Sequence, residues 1–432
     1  MRLQAAILAS FAALALAACA GETPAPGGAA APAGEQIRGI SQDRLARIEA
    51  VLQEEVDAGK RAGFVAVVVH RGNIVYEAAV GLADRENAVP MSQETRFRIA
   101  SMTKPLVTAA LMQLVEDGKV LLSDPVSRYI PAFAEARVAT SLNKDASGEI
   151  PTEPLKRPIT VHHVLTHMGG VGYVFDYETD LGRLYLDNNL YFMEGDLAAR
   201  VDRLAALPLY EQPGEVWRYS YGTDIAGRIV EVASGQSLEA FMRERLFAPL
   251  GMTDTAFFLD ESDFERLAVV YAFDDEGRLV PSKGGDFAPD PNADGFGWAS
   301  GGAGLLSTAR DYARFCLMLL NGGELDGARV LSPATVRLML APHVPVEATF
   351  DEWRKSKTTF ALGGYVIQSP GLTGSTDAPG QWGWGGYYDT SFFISPADDL
   401  AIVVMAQREP GPNDPGSRAG ELVKAIAYGA LE

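Results

Sequence analysis

Two residues of the sequence, Ser101 and Lys104, stand three positions apart, a spacing that suits nucleophilic catalysis. The run from Leu106 to Val115 carries apolar residues at helical spacing and closes at Gly118, so a helix is predicted to begin at or just before Ser101. Both side chains then lie on one face of its first turn. A serine hydroxyl becomes an effective nucleophile beside a base, and a partly buried lysine gives up its proton more readily.

This pair alone does not decide the function. A helix N-cap followed by a solvated lysine has the same sequence, and the chain contains a second such pair in Ser141-Leu142-Asn143-Lys144. The second pair lies in a polar stretch without apolar periodicity, so no neighbouring element is predicted to bury its lysine. We expect it to lie in a loop.

Three other stretches bear on Ser101. Tyr219 lies between a turn and a predicted helix, where a phenol serves as a general base if nearby cations lower its pKa. Gly383-Trp384-Gly385-Gly386-Tyr387 lies just before a predicted strand, and its glycines allow a backbone N–H to approach a ligand. Residues 301–304 form a glycine-rich turn into a helix.

The elements that must position these groups are strands at both ends of the chain and helices between them. Strands are predicted at 64–69, 74–80, 364–367, 390–394 and 400–406, with helices at 41–58, 159–167, 237–246 and 420–430. We therefore expect an α/β (α+β) fold in which one antiparallel sheet, built from both ends of the chain, is flanked by helices. Residues 36–120 and 295–432 form the predicted α/β domain, and residues 121–294 a mostly helical inserted domain.

Length, net charge and cysteine content limit the kinds of fold and partner that the chain can have. The chain has 432 residues, more than one compact core usually holds, and its net charge of −19 disfavours nucleic acid as a partner. The two cysteines, Cys19 and Cys316, predict no disulfide framework. Cys316 lies in an apolar helical run and is expected to pack as a small hydrophobe. No cofactor is predicted.

Residues 1–18 resemble a secretory signal peptide, because Arg2 precedes an apolar segment too short to span a membrane. The segment ends in Leu16-Ala17-Ala18-Cys19, which resembles the lipobox of bacterial lipoproteins. That resemblance implies lipidation of Cys19, while an ordinary cleavage site with an incidental cysteine is the alternative. Residues 19–35, rich in Gly, Ala and Pro, are predicted to form a flexible tether. The predicted location is the periplasm or the outer membrane, with a lipid anchor.

His162, His163 and His167 raise the question of a metal site, since the last two are one helical turn apart. Val164 stands where the zinc motif His-Glu-x-x-His has its glutamate. We therefore predict structural histidines and no metal.

Ser-x-x-Lys, Tyr-Ser-x and a glycine-containing strand motif, in this order, resemble the serine β-lactamase and penicillin-binding-protein superfamily. The similarity is greatest to the class C branch with the family VIII carboxylesterases, and it extends from about Ser41 to Ala430. It implies that Ser101 is a nucleophile that forms an acyl-enzyme, that Lys104 accepts or relays its proton, and that Tyr219 is the partner base. It also implies an oxyanion hole made by the backbone N–H groups of Ser101 and Tyr387. The flanking stretches that carry the resemblance are 97–104, 166–170, 249–252 and 301–305.

Two motifs depart from the lactamases. Tyr219-Ser220-Tyr221 replaces their Tyr-Ser-Asn, which removes an amide able to bind the substrate's amide side chain. Trp384-Gly385-Gly386 replaces their Lys-Thr-Gly, so no cation is supplied there for a substrate carboxylate. Both changes favour neutral esters, and Trp-Gly-Gly is similar to the family VIII esterases. The predicted substrate-binding residues are Tyr221, Trp384, Gly385 and Gly386.

The leading hypothesis is a serine hydrolase that cleaves small carboxylic esters through an acyl-enzyme on Ser101. One alternative is a β-lactamase or D-alanyl-D-alanine carboxypeptidase acting on β-lactams or cell-wall peptides. Another is a non-catalytic binding protein on the same scaffold. No serine has Gly-x-Ser-x-Gly spacing, which disfavours an α/β-hydrolase site.

Overall fold

The computed structural model of the chain describes residues 39–285, 288–292 and 297–432. The predicted signal peptide, the lipidation site Cys19 and the tether lie outside these residues. Within them, no helix combines the length and the apolar composition required to cross a lipid bilayer.

The strands are short except at the centre of the fold, where they form one large sheet. Their bounds are β1 Gly63–His70, β2 Asn73–Asp84, β3 Val89–Pro90, β4 Phe97–Arg98, β5 Arg137–Ala139, β6 Thr152–Pro154, β7 Tyr271–Phe273, β8 Leu279–Pro281, β9 Leu306–Ser307, β10 Glu324–Leu325, β11 Ala328–Arg329, β12 Thr358–Phe360, β13 Tyr365–Ile367, β14 Trp382–Gly386, β15 Thr390–Ser395 and β16 Leu400–Met405.

The α-helices surround this sheet, and short 3₁₀ turns and one π-helical segment, Arg243–Phe247, connect some of them. Their bounds are α1 Gln42–Leu45, α2 Arg47–Asp57, α3 Thr103–Glu116, α4 Val161–Leu165, α5 Asp180–Asp187, α6 Leu197–Ala205, α7 Gly222–Ser234, α8 Leu238–Met242, α9 Ala248–Leu250, α10 Ala309–Leu320, α11 Pro333–Leu340, α12 Asp351–Ser356 and α13 Ala419–Ala430.

The central sheet is antiparallel and has the strand order β12-β13-β14-β15-β16-β1-β2-β3. β1 pairs with the C-terminal strand β16, with Val65 opposite Met405 and His70 opposite Leu400. The prediction of one sheet built from both ends of the chain is confirmed. Every residue of β1 is buried, because helices cover both faces of the sheet.

Successive side chains of β1 point to opposite faces of the sheet and enter two separate cores. Phe64 and Val68 pack with residues of α1, α2 and α13. Val65 and Val69 pack with α3, α10 and the helices of the middle of the chain. Helix α3 lies in this second core and packs against α7, so the segment that carries Ser101 is surrounded by other elements.

Several boundaries differ from the sequence prediction. The helix expected at 41–58 divides at Ala46 into α1 and α2. Residues 382–386 precede β15 as expected, but they also form strand β14, and β12 had no sequence signal. Glycine has low strand propensity, so β14 exists because β13 and β15 pair with it on either side. The division into two domains at residues 121 and 294 stays a prediction.

Candidate active site

Ser101 lies on a single 3₁₀ turn, Ala100–Met102, that leads directly into α3. The predicted helix start therefore agrees with the structure to within a turn. Ala100 has φ +42°, a left-handed conformation that is uncommon for a residue with a Cβ. The Ile99 carbonyl accepts from the Met102 N–H at 2.9 Å, which holds the turn in this strained form.

The Ser101 hydroxyl meets both residues that were predicted to act with it. Lys104 Nζ donates to Ser101 Oγ at 3.1 Å, and the Tyr219 hydroxyl donates to the same oxygen at 2.7 Å. Only 1% of Lys104 is exposed. Both distances are within the reach needed for proton transfer, so either partner, once deprotonated, is placed to accept the Ser101 proton.

The glycine-rich turn at 301–304 supplies a further partner for Lys104. Lys104 Nζ donates to the Gly302 carbonyl at 2.8 Å, and it also lies 4.6 Å from the centroid of the Tyr219 ring. A Cβ on Gly302 would lie 2.5 Å from Asp224 Oδ2, so any other residue there would require the carboxylate to shift. Glycine at this position lets the turn pack closely against Asp224 while its carbonyl accepts from Lys104.

Asp224, near the start of α7, is a site residue that sequence reasoning missed. It is completely buried, and its Oδ1 accepts from Ser300 Oγ at 2.8 Å and from the Gly302 N–H at 3.1 Å. Burial raises the pKa of Asp224, and the nearby Lys104 cation opposes that rise. In the sequence, an acid in the first turn of a helix indicates only a favourable interaction with the helix dipole.

Tyr387 follows β14, and the end of that strand packs against the turn that carries Ser101. A Cβ on Gly386 would lie 2.4 Å from the Ile99 carbonyl oxygen, and Tyr387 packs against the buried cluster that contains Ala100. The Tyr387 hydroxyl donates to Glu409 at 3.1 Å. The structure thus brings the strand end beside Ser101, while the oxyanion role of the two N–H groups stays a prediction.

Aromatic rings line the side of the site around Tyr219. The Trp384 ring centroid lies 5.6 Å from that of Tyr219, and the Tyr173 centroid lies 5.4 Å from it. In β14, Gly385 and Gly386 pair with Ser391 and Thr390. Of the predicted substrate-binding residues, Trp384, Gly385 and Gly386 therefore lie on the strand next to the turn that carries Ser101.

The structure places Tyr221 differently from the other predicted substrate-binding residues. Its side chain is completely buried, its hydroxyl donates to Asn189 Oδ1 at 3.0 Å, and its ring lies 4.4 Å from that of Tyr173. Because the ring packs in the interior, the substrate contact predicted for Tyr221 would require the side chain to move.

The three histidines singled out in the sequence have structural partners. His163 takes part in the N-terminal cap of α4 with Thr160, and His162 Nε2 lies 3.0 Å from His343 Nδ1. His167 is buried behind Tyr219, with Nδ1 2.9 Å from Ser220 Oγ, and burial together with Lys104 lowers its pKa. Across residues 39–285, 288–292 and 297–432, no three His, Cys, Asp or Glu side chains cluster closely enough to hold a metal ion.

A family model described as Beta-lactamase matches residues 48–426. The chain belongs to the β-lactamase family. The match includes the turn with Ser101, the Gly302 turn and β14, and the antiparallel sheet flanked by helices has the arrangement of β-lactamase-like and penicillin-binding-protein-like structures.

Named relatives within the β-lactamase family include esterases. Esterase EstB of Burkholderia gladioli is 33% identical over 384 residues, which cover 83% of this chain and 89% of EstB. Lovastatin esterase of Penicillium rubens is 31% identical over 391 residues, which cover 83% of this chain and 92% of that esterase. The solved structure of EstCE1, described as a hydrolase with promiscuous acyltransferase activity, aligns with a TM-score of 0.74 and 28% identity over 89% of this chain and 99% of that one. The resemblance to the esterase-like branch is thus confirmed.

Proposed function

We propose that the protein is a carboxylesterase that cleaves small neutral esters through an acyl-enzyme on Ser101. The observation that carries this proposal is the pair of hydrogen bonds from Lys104 Nζ and the Tyr219 hydroxyl to one serine oxygen, at 3.1 and 2.7 Å. Such a serine has two groups able to take its proton, which is the requirement for an activated nucleophile.

In the first half-reaction, Ser101 Oγ attacks the carbonyl carbon of the ester, and its proton passes to the Lys104–Tyr219 pair. The negative oxygen of the tetrahedral intermediate is stabilised by the backbone N–H groups of Ser101 and Tyr387. The intermediate collapses with cleavage of the ester C–O bond, and the alcohol leaves with the proton. Water then attacks the acyl-enzyme by the same route, releasing the carboxylic acid and restoring the serine.

The identity of residue 384 supports a neutral ester as the substrate. Trp384 sits on β14 where the lactamase motif has lysine, and its ring packs against Tyr219. An indole offers apolar surface and one N–H donor, but no charge to pair with a carboxylate. The esterase names of two relatives point in the same direction.

The test compares esters, β-lactams and peptides on one purified sample. Wild type is expected to hydrolyse p-nitrophenyl acetate and butyrate much faster than nitrocefin or a peptide ending in D-Ala-D-Ala. Trp384→Phe, which keeps an aromatic ring, is the matched control for Trp384→Lys, which is expected to lower ester turnover more. Faster cleavage of nitrocefin or of the peptide than of every ester would replace this proposal with the lactamase or peptidase alternative.

Acyl transfer to an alcohol is a second candidate activity, and the description of EstCE1 favours it. The same acyl-enzyme gives an ester when an alcohol replaces water in the second half-reaction. Incubation with vinyl butyrate and a primary alcohol, followed by gas chromatography, measures the ratio of new ester to free acid. Free acid alone at high alcohol concentration would exclude this activity.

We also propose that the mature protein is a lipoprotein anchored through Cys19, which holds the catalytic domain near a periplasmic or outer membrane surface. The lipobox-like residues 16–19 and the tether support it. Expression of wild type and Cys19→Ser in a bacterial host, with detergent phase partitioning, tests it. Wild type is expected in the detergent phase and the variant in the aqueous phase, and equal partitioning would contradict the anchor.

A further inference from the structure

Asp224 lies in the first turn of α7 and is completely buried. One carboxylate oxygen, Oδ1, accepts the two hydrogen bonds from Ser300 and Gly302. The other, Oδ2, is also buried, and it has no hydrogen-bond partner among the residues that the structure describes. Interaction with a helix dipole does not require burial, so the dipole alone does not explain this position.

A continuous chain of hydrogen bonds connects Asp224 to the nucleophile. The Gly302 N–H donates to Asp224 Oδ1 at 3.1 Å, and the carbonyl of the same residue accepts from Lys104 Nζ at 2.8 Å. Lys104 Nζ donates in turn to Ser101 Oγ at 3.1 Å. The position of the lysine nitrogen therefore depends on a glycine that Asp224 holds.

The charges around Asp224 show which group its carboxylate affects most directly. The phenols that face it are buried and have raised pKa values, so they are neutral. Of the two cations near it in the described part of the chain, Arg200 has acceptors of its own in the Gly195 and Leu190 carbonyls. Lys104 is the cation that contacts Ser101. The titratable and charged groups facing Asp224 are Lys104 of α3, Arg200 of α6, and Tyr173, Tyr191 and Tyr221.

We propose that Asp224 is a positioning residue for Lys104: through Gly302 it directs the lysine nitrogen toward Ser101, and its negative charge balances the ammonium form. This inference rests on the proposed acyl-enzyme chemistry at Ser101. Its consequence is that the pH dependence of the reaction at Ser101 is set in part by a carboxylate that does not touch the substrate.

Asp224→Asn separates charge from position, because the amide oxygen still accepts from Ser300 and Gly302. Loss of the negative charge removes an attraction that favours positive charge beside Ser101, so the pH of half-maximal rate is expected to fall by about one unit. The plateau rate is expected to change little. Asp224→Ala removes both charge and acceptor, and its plateau kcat is expected to fall about 10²-fold with little change in KM.

The readouts are the pH dependence of Ser101 labelling by a fluorophosphonate probe and of kcat/KM for p-nitrophenyl butyrate, with melting temperature as a check of folding. Asp180→Asn, an acid in the first turn of α5 outside the site, is the matched control and is expected to leave both pH profiles unchanged. Ser300→Ala keeps the Asp224 carboxyl but removes one hydrogen bond that favours its charged form. The pH of half-maximal rate is expected to fall in Ser300→Ala too, but by less than in Asp224→Asn. If Asp224→Asn does not fold, the shift in Ser300→Ala tests the role of Asp224.

Folded Asp224→Asn and Ser300→Ala variants with the wild-type pH profile would overturn this role. A melting temperature that falls without any change in the profile would show a purely structural carboxylate. Labelling distinguishes this result from failure of the proposed function, because labelling requires no turnover. Wild type that is labelled at Ser101 but cleaves no ester contradicts the esterase proposal alone, whereas wild type that is neither labelled nor active contradicts both.

Discussion

Ser101–Lys104 and Ser141–Lys144 contain the same two residue types at the same spacing, but the fold treats them differently. Lys104 is 1% exposed and shares hydrogen bonds with Ser101 and Gly302, whereas Ser141 and Lys144 are exposed. The Ser141 hydroxyl bonds locally in its loop, donating to the Asn143 carbonyl at 2.9 Å and accepting from the Asn143 N–H at 3.1 Å.

The contrast lies in the surroundings of the two pairs, since their residue types and spacing are the same. A local loop turn uses the Ser141 oxygen as a structural group, as serine side chains commonly do in turns. Around Ser101, α3 supplies the lysine, the start of α7 supplies the carboxylate behind it, and the segment before α7 supplies the phenol. These groups come from distant parts of the chain, so only the assembled fold creates the site.

Replacement of the two serines gives the largest expected difference. Ser101→Ala is expected to lower ester hydrolysis on the order of 10³-fold or more, since the acyl-enzyme is not formed, while Ser141→Ala keeps wild-type activity. Fluorophosphonate labelling with mass spectrometry is expected to place one adduct on residue 101.

Retained activity in Ser101→Ala, or an adduct on Ser141, would refute the nucleophile assignment. A folded wild type that gives no adduct and cleaves none of the substrates would favour the non-catalytic binding protein on this scaffold.

Replacement of the two lysines is expected to give the next largest difference. Lys104→Ala removes a proton acceptor next to Ser101 and is expected to lower kcat about 10²- to 10³-fold, while Lys144→Ala has no effect on kcat. Steady-state kinetics with p-nitrophenyl butyrate measures both. Equal kcat values for Lys104→Ala and wild type would show that the buried lysine beside Ser101 is not needed to accept the serine proton.

Two neighbouring tyrosines sharpen the comparison further. Tyr219→Phe removes the hydroxyl 2.7 Å from Ser101 and is expected to lower kcat about 10²-fold. Tyr221→Phe removes a buried hydrogen bond to Asn189, with an expected cost of about 1 kcal/mol in stability and little effect on kcat. Chemical denaturation and kinetics of both variants separate these effects, and a larger loss of kcat in Tyr221→Phe would reverse the two roles.

The antiparallel sheet and the start of α3 were predictable because apolar periodicity is a local property, as in β1 and in residues 106–115. Ser101 and the two residues that bond its oxygen, Lys104 and Tyr219, followed from spacing and resemblance. The places of Gly302 and Asp224 in the site could not be predicted in this way. Gly302 contacts Lys104 through its backbone carbonyl, and Asp224 contacts Gly302 only because the fold buries the start of α7. Strand β14 was missed for a related reason: its glycines carry no strand preference, and only β13 and β15 make it a strand.

The pH profiles of the Asp224 and Ser300 variants can be interpreted only at pH values where the fold is intact, and His162 is expected to limit that range. Burial, with smaller effects from His343 and His163, lowers the pKa of His162 from 6.5 to about 4. The folded state therefore binds fewer protons than the unfolded chain between these values, so stability falls as the pH drops from about 6.5 toward 4. His162→Gln removes this dependence and is expected to lose less melting temperature between pH 7 and pH 5 than wild type. Thermal unfolding at both pH values measures the difference, and an equal loss in the two proteins would assign the acid sensitivity to other groups.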